Sequence, residues 1–273
     1  MHVEVYGGKH SPWVHAVLLA LHEQHIEYTL RSTPPLAVIK QWGVYMPAVS
    51  IDGGPWAIES ADIVERLGFA ALPERDKDAL RGAWRGVHHR PANPLRFFAA
   101  FSRAGDRSDS LWRRARNNFL RSFIPFYMFT MITFFKWKMQ PTDPEDYGAQ
   151  FLYWEAAVGE NPGPFLDGDT PGTRDFMLFG MIQCHSSIPV PPLVPLREDA
   201  RLDGLRGWIR AMHTRFGDYP LLYSSTYFAP ELPRPQTATL GQRLIFCAGL
   251  ATMILSFPIT LPLVFVLMTK APR

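Results

Sequence analysis

Two cysteines, Cys184 and Cys247, are all that this chain of 273 residues carries. Two thiols cannot staple a fold of this size, so a disulfide scaffold is excluded, and free thiols point to a reducing compartment. Charge is also sparse, at 19% of residues, and 28 basic against 25 acidic residues leave a net +3. That excess is too small to argue for nucleic acid as a partner. No internal repeat occurs, which excludes solenoids, collagen and coiled coils. The leading MHVEVYGG has neither a basic stretch nor an apolar core, so no secretory signal is expected there. Walker, GxSxG and HExxH motifs are missing. His88 and His89 adjoin Arg90 with no carboxylate or cysteine at ligand spacing, so no metal site is expected. What is abundant is apolar: 47% hydrophobic and 13% aromatic residues rule out disorder. The 25 prolines predict many chain breaks, and the length suits one large domain or two ordinary ones.

The longest apolar run lies near the end. Leu244–Met268 holds 25 residues without a charge, bounded by Arg243 on one side and Lys270 and Arg273 on the other. A bilayer core of about 30 Å needs about 20 such residues in a helix, and transmembrane helices tolerate prolines such as Pro258 and Pro262. The expectation is a single membrane-spanning helix over 244–268, a lipid bilayer as partner, and a globular part on the cytoplasmic side. A buried C-terminal helix is the alternative. Phe123–Phe135 is also apolar but has only 13 residues and contains Pro125. It is too short to span, and reads as a core helix or a membrane-apposed surface. Arg103, Arg107, Arg113, Arg114, Arg116 and Arg121 precede it, opposed only by Asp106 and Asp109. They fit either anionic headgroups or a solvated helix face.

Ahead of the tail, the pattern divides in two. His2–Tyr6 alternates as a strand and ends at Gly7-Gly8. Ser11-Pro12 opens a helix, with Ser as N-cap and Pro at the first helical position. Ile26–Leu30 reads as a strand, Ala37–Trp42 as a short helix, and Pro47–Ile51 as a strand. Asp52-Gly53-Gly54 is a hairpin turn into Pro55–Ile58. Ser60 caps a helix to Leu67, closed by Gly68. The order β-α-β-α-β-β-α fills residues 1–70. Residues 76–225 show helical patterns over 77–89, 111–138, 144–158, 176–184 and 202–215, broken by proline-rich stretches such as 188–195. Residues 226–243, with the extended 228–235, form a linker to the tail.

The residues carry a resemblance. Tyr6 to Tyr28, with Ser11-Pro12 at the turn, is similar to the first strand, active-site turn and first helix of the glutathione S-transferase superfamily, in its serine-type branch. Met46-Pro47-Ala48-Val49 resembles the segment whose proline is cis, and Glu59-Ser60 the turn that opens the third helix. Residues 165–180 resemble the buried aspartate and helix of the second domain. The resemblance implies a thioredoxin-like domain followed by an all-α domain. Two departures stand out. The lysine usual before the cis proline is missing in Trp42–Pro47, and the helix-capping Ser/Thr falls on Gly172. The tail resembles that of the metaxin-like branch, whose members have no established transferase activity.

That resemblance implies glutathione as co-substrate. Only a thiolate attacks well, so a transferase must lower the thiol pKa with a hydrogen bond to sulfur. Ser11, at the positive end of a helix, is the candidate donor, with Tyr6 and His10 as rivals and plain helix capping as the bland role. Met46 and Pro47 would hold the cysteinyl part, and Glu59 and Ser60 the γ-glutamyl group. Two functions follow: a membrane-anchored transferase or thiol-dependent lyase for an apolar substrate, or a non-catalytic scaffold in a membrane complex. Membrane-complex subunits or a second copy of the chain are the protein partners either would have.

Overall fold

A computed structural model describes residues 1–82, 93–106, 108–140, 142, 144–186, 190–223 and 237–270. The His88–His89 pair, Arg107, the 228–235 connector and Arg273 lie outside these residues. The N-terminal part is a four-stranded sheet with order β2-β1-β3-β4. The strands are β1 (Val3–Tyr6), β2 (Tyr28–Arg31), β3 (Ala48–Ile51) and β4 (Ala57–Ile58). β1 pairs parallel with β2 and antiparallel with β3, in a register that sets Val5 opposite Leu30 and Val49. Three helices are interleaved: α1 (Pro12–Glu23), α2 (Leu36–Trp42) and α3 (Ser60–Arg66). This is the expected β-α-β-α-β-β-α order and a thioredoxin-like topology, with element ends shifted by one or two residues. The Met46–Pro47 peptide is cis, as the resemblance implies. Asp52 and Gly53 turn β3 into β4 with φ of 50° and 70°, the left-handed pair that a tight hairpin requires.

Among the described residues the other α-helices are C-terminal to these: α4 (Glu74–Gly82), α5 (Asn93–Arg103), α6 (Leu111–Arg121), α7 (Phe123–Met139), α8 (Leu152–Glu160), α9 (Thr173–Ser186), α10 (Pro195–Glu198), α11 (Asp203–Arg215) and α12 (Leu240–Met268). The expected helix 111–138 is two helices, broken at Ser122. Pro125 explains the break: it has no N–H for the carbonyl of Arg121, four residues back, and its ring crowds that carbonyl. The guanidinium of Arg121 turns inward there and donates to the Asn118 side chain and the Phe101 and Ala104 carbonyls. Helix α5 was not anticipated, and the expected helix 144–158 begins only at Leu152, after a 3-10 turn.

The two parts meet on α1. Residues Val14 to Leu21 of this helix are all buried, because the sheet covers one side and α9 the other. Gly180 permits the approach of α9: a Cβ there would lie 2.8 Å from the Pro12 carbonyl oxygen and 3.0 Å from the Ala16 nitrogen. The N-terminal end of α9 is fixed by Asp175. Its buried carboxylate accepts from the backbone N–H groups of Leu166, Asp167 and Gly172 and from Trp208 Nε1, at 2.7–3.1 Å. Burial raises its pKa to about 6 against the pull of those donors. Gly172 lacks the capping hydroxyl, and Asp167 takes over the role by accepting from the Arg174 N–H at 3.1 Å. A side chain at Gly172 would collide with the Asp167 carboxylate.

Helix α12 starts four residues before the expected span, inside a reciprocal cap. Thr239 N–H donates to Gln242 Oε1 at 2.9 Å, and Gln242 N–H to Thr239 Oγ1 at 3.3 Å. Gln242, Phe246, Gly249 and Met253 form its buried stripe. The remaining surface is apolar and exposed: over its most apolar window, mean hydropathy is 2.1 and 17% of residues are buried. Among the described residues it is the one helix long and apolar enough to cross a membrane. Of the expected linker, 226–236 lie outside the described residues, and 240–243 belong to α12.

Removing the Asp175 carboxylate strands several buried donors at once. Asp175→Ala should lower unfolding free energy by more than about 3 kcal/mol, read from denaturant unfolding in mild detergent. A loss below about 1 kcal/mol would mean that water replaces the carboxylate.

Candidate functional site

The turn from β1 to α1 is shaped by two glycines. Gly7 donates to the Arg31 carbonyl at 3.0 Å, and a side chain there would run into Val14. Ser11 N–H donates to the Gly8 carbonyl at 2.9 Å, and Ser11 itself occupies the N-cap of α1 with extended φ and ψ of −84° and 126°. The expected side-chain cap is not made: the Ser11 hydroxyl forms no capping hydrogen bond. It stays half-buried at the positive end of a 12-residue helix.

Met46 reaches this turn, with its sulfur 3.4 Å from the Gly8 N–H. Pro47 leads directly into β3, and Ser60 is the buried first residue of α3. Glu59 precedes it with a positive φ of 70°, a conformation in which a non-glycine residue is uncommon. Its carboxylate accepts from the Tyr45 hydroxyl at 2.7 Å. Burial and this bond together raise the Tyr45 pKa. The turn at Gly8–Ser11, the Met46 side chain, Tyr45 and Glu59–Ser60 therefore form one connected series. Tyr45 had no sequence signal of its own, since it lies in the run where the resemblance breaks.

The rivals to Ser11 face elsewhere. Tyr6 is 2% exposed beside Val38 and Ala48, and burial raises its pKa to about 12. Its hydroxyl points to the Val44 carbonyl at 3.5 Å. His10 turns toward the helical part, its ring stacked on Tyr223 and edge-on to Phe101. The Tyr223 hydroxyl donates to the Lys9 carbonyl and lies 2.7 Å from His10 Nδ1. Burial, with Lys9 and Arg121 adding, drives the His10 pKa well below its ordinary value. Burial raises the Cys184 pKa, and the thiol donates to the His10 carbonyl at 3.0 Å. Beside the turn, Lys9 pairs with the buried Asp106 at 3.6 Å. Among the described residues no group of three or more His, Cys, Asp or Glu could hold a metal ion.

No protein-family model matches the chain, and no curated protein matches it. Solved structures similar to it are glutathione S-transferases. A theta-class enzyme from Xanthomonas axonopodis pv. citri, solved with glutathione bound, is 16% identical over 80% of this chain and 94% of its own, with a TM-score of 0.43. A glutathione S-transferase from Rhodospirillum rubrum F11 is 14% identical over 89% and 99%, also at 0.43. A tau-class enzyme from mango, Mangifera indica, is 15% identical over 81% and 90%, again at 0.43. The fold itself is glutathione S-transferase-like: the mixed sheet, the cis proline before β3 and the helical part set against α1 are all present.

His15 of α1, which is buried, and His213 of α11, which is half-buried, set an acid response. Burial lowers the His15 and His213 pKa values to about 4. On acidification the unfolded chain takes up these protons first, so their contribution is complete above about pH 6.5 and is lost as pH falls toward 4. Asp175, shifted upward, works in the opposite direction over about pH 4–6, but it is one group against several. The denaturant midpoint should therefore fall between pH 6.5 and 4.5, and fall less in His15→Leu. A wild-type midpoint that is level or rises on acidification would contradict this account.

Proposed function

We propose that this protein is a membrane-attached, glutathione S-transferase-like protein that takes glutathione at the β1–α1 turn. The observation that carries the reading is Ser11, whose hydroxyl sits at the N-cap of α1 without a capping bond. There it is free to donate to a thiolate, which the helix end also favours. A cysteine thiol has an ordinary pKa of about 8.5, so holding the anion makes the nucleophile available at neutral pH. The peptide part would lie along Met46 and Pro47, with its γ-glutamyl group toward Glu59 and Ser60. The thiolate then attacks an electrophilic carbon of an apolar substrate, and the leaving group departs with the electron pair. The exposed apolar surface of α12 supports attachment to a bilayer. Substrates dissolved in lipid are then close at hand.

A second reading, a non-catalytic scaffold in a membrane complex, is favoured by one contact. Glu59 already accepts from Tyr45, so a glutathione ammonium would have to share or displace that bond. Titration of the detergent-solubilised full chain with glutathione separates the two. Binding at millimolar ligand or below supports the transferase reading, and no heat or spectral change at that level supports the scaffold.

With an electrophilic test substrate, Ser11→Ala should lower kcat by about 10²-fold or more, the size of one lost donor to a reacting anion. Glu59→Ala should instead mainly raise the glutathione KM, because its contact is the same in ground and transition states. Tyr45→Phe, which frees the Glu59 carboxylate, should lower that KM. Unchanged kcat in Ser11→Ala would move the donor role to another group.

A further inference from the structure

Basic and acidic residues nearly balance over the whole chain, at 28 and 25, but not over its surface helices. Helices α6, α7 and α12 together carry seven Lys or Arg and no Asp or Glu. They also pack as a unit. A Cβ on Gly249 of α12 would lie 2.5 Å from the Phe119 carbonyl oxygen of α6 and from Ser122 Oγ. Farther along, the Phe257 ring meets Phe126 of α7 edge-on, with centroids 5.5 Å apart. The outward residues are apolar and often aromatic: Trp112 and Trp137 are each 76% exposed and Leu255 is 82%, with Phe129, Leu244 and Ile259 also out. Arg113, Arg116, Lys138 and Arg243 are exposed among them. Soluble monomers rarely present so extended an apolar surface.

Helix α12 is about 43 Å long and is held to the body at both ends. At its start, Gln242 Nε2 donates to the Asp106 carbonyl at 3.3 Å, and Ala238 N–H to the Arg103 carbonyl at 2.8 Å. At its finish, Lys270 Nζ donates to the Lys40 carbonyl at 3.4 Å. Gly43 there has no room for a side chain against the Leu267 backbone. A helix that merely crosses a bilayer needs neither a fitted glycine nor two docked ends. Apolar residues all round suit a helix with protein on one side and hydrocarbon on the other. Small residues at a tight helix contact are how such helices pack.

We propose that α6, α7 and α12 form one bilayer-facing surface, on which the tail lies along the body with both ends on the body's side of the membrane. Its outer apolar residues enter the hydrocarbon boundary, while Arg113, Arg116, Lys138 and Arg243 meet anionic headgroups. This rests on the membrane attachment of the proposed function, and not on its glutathione chemistry.

The full chain, purified in detergent with a tag at each end, is transferred to phosphatidylcholine vesicles with or without about one-third phosphatidylserine. The anionic vesicles should capture it better. Both tags should be digested by protease added outside intact vesicles. Arg113→Glu with Arg116→Glu should cut capture by anionic vesicles about tenfold or more and leave neutral vesicles unaffected. Both side chains are exposed, so the fold does not depend on them. Gly249→Leu, which breaks the tail's fit, should protect the C-terminal tag as the tail crosses. A protected C-terminal tag in the wild type would overturn the proposal, as would equal capture by both vesicle types. So would absence of capture with a homo-oligomer in solution, which would make the surface a protein interface. A glutathione titration of the same samples reads the other proposal separately.

Discussion

Helix α1 is wedged between the sheet and α9, and most of the molecule depends on how closely that wedge fits. Its residues Val14 to Leu21 are buried on every side, so neither the sheet nor the helical part has a complete core without it. The fit is set by an absence of side chain at Gly180, where backbone of α1 fills the space a Cβ would take. The same helix presents Ser11 at its N-terminal end. The contact that joins the two parts thus also fixes where the positive end of α1 and its hydroxyl stand.

A second constraint holds α9 in place against α1. Asp175 is buried, yet it has four donors directed at it, from three backbone groups and Trp208. A carboxylate in that setting tolerates burial because each partner offers a hydrogen bond where water is excluded. Gly172 offers no side-chain acceptor to the first turn of α9. Asp167 supplies the missing acceptor from the preceding loop, and its carboxylate occupies the space that a larger residue at 172 would need.

The tail and the site are not independent parts. The end of α12 stands against Gly43 and Lys40, at the close of α2. From there the chain runs through Tyr45 and Met46 to β3, and these two residues touch Glu59 and Gly8. The far end of the tail therefore stands against the same segment that, a few residues on, touches the turn carrying Ser11.

Periodicity and punctuation determined much by themselves. The alternation at 2–6, the Ser-Pro at 11–12, the Asp-Gly-Gly turn and the uncharged run near the end are local signals, written in residues adjacent in the chain. The strands, α1, the hairpin and α12 were therefore legible, and so was the cis bond at Met46–Pro47 through the resemblance. The split of 111–138 at Ser122 was also written locally, in Pro125, though the apolar pattern masked it. Only the tertiary structure decided that the Ser11 hydroxyl forms no cap, that Tyr45 engages Glu59, and that Asp167 replaces a cap at 172. It alone turned His10 toward Tyr223 and laid the tail along α6. Each of these depends on which surfaces meet across tens or hundreds of residues, and the spacing of side chains within one element carries no record of what will stand opposite it.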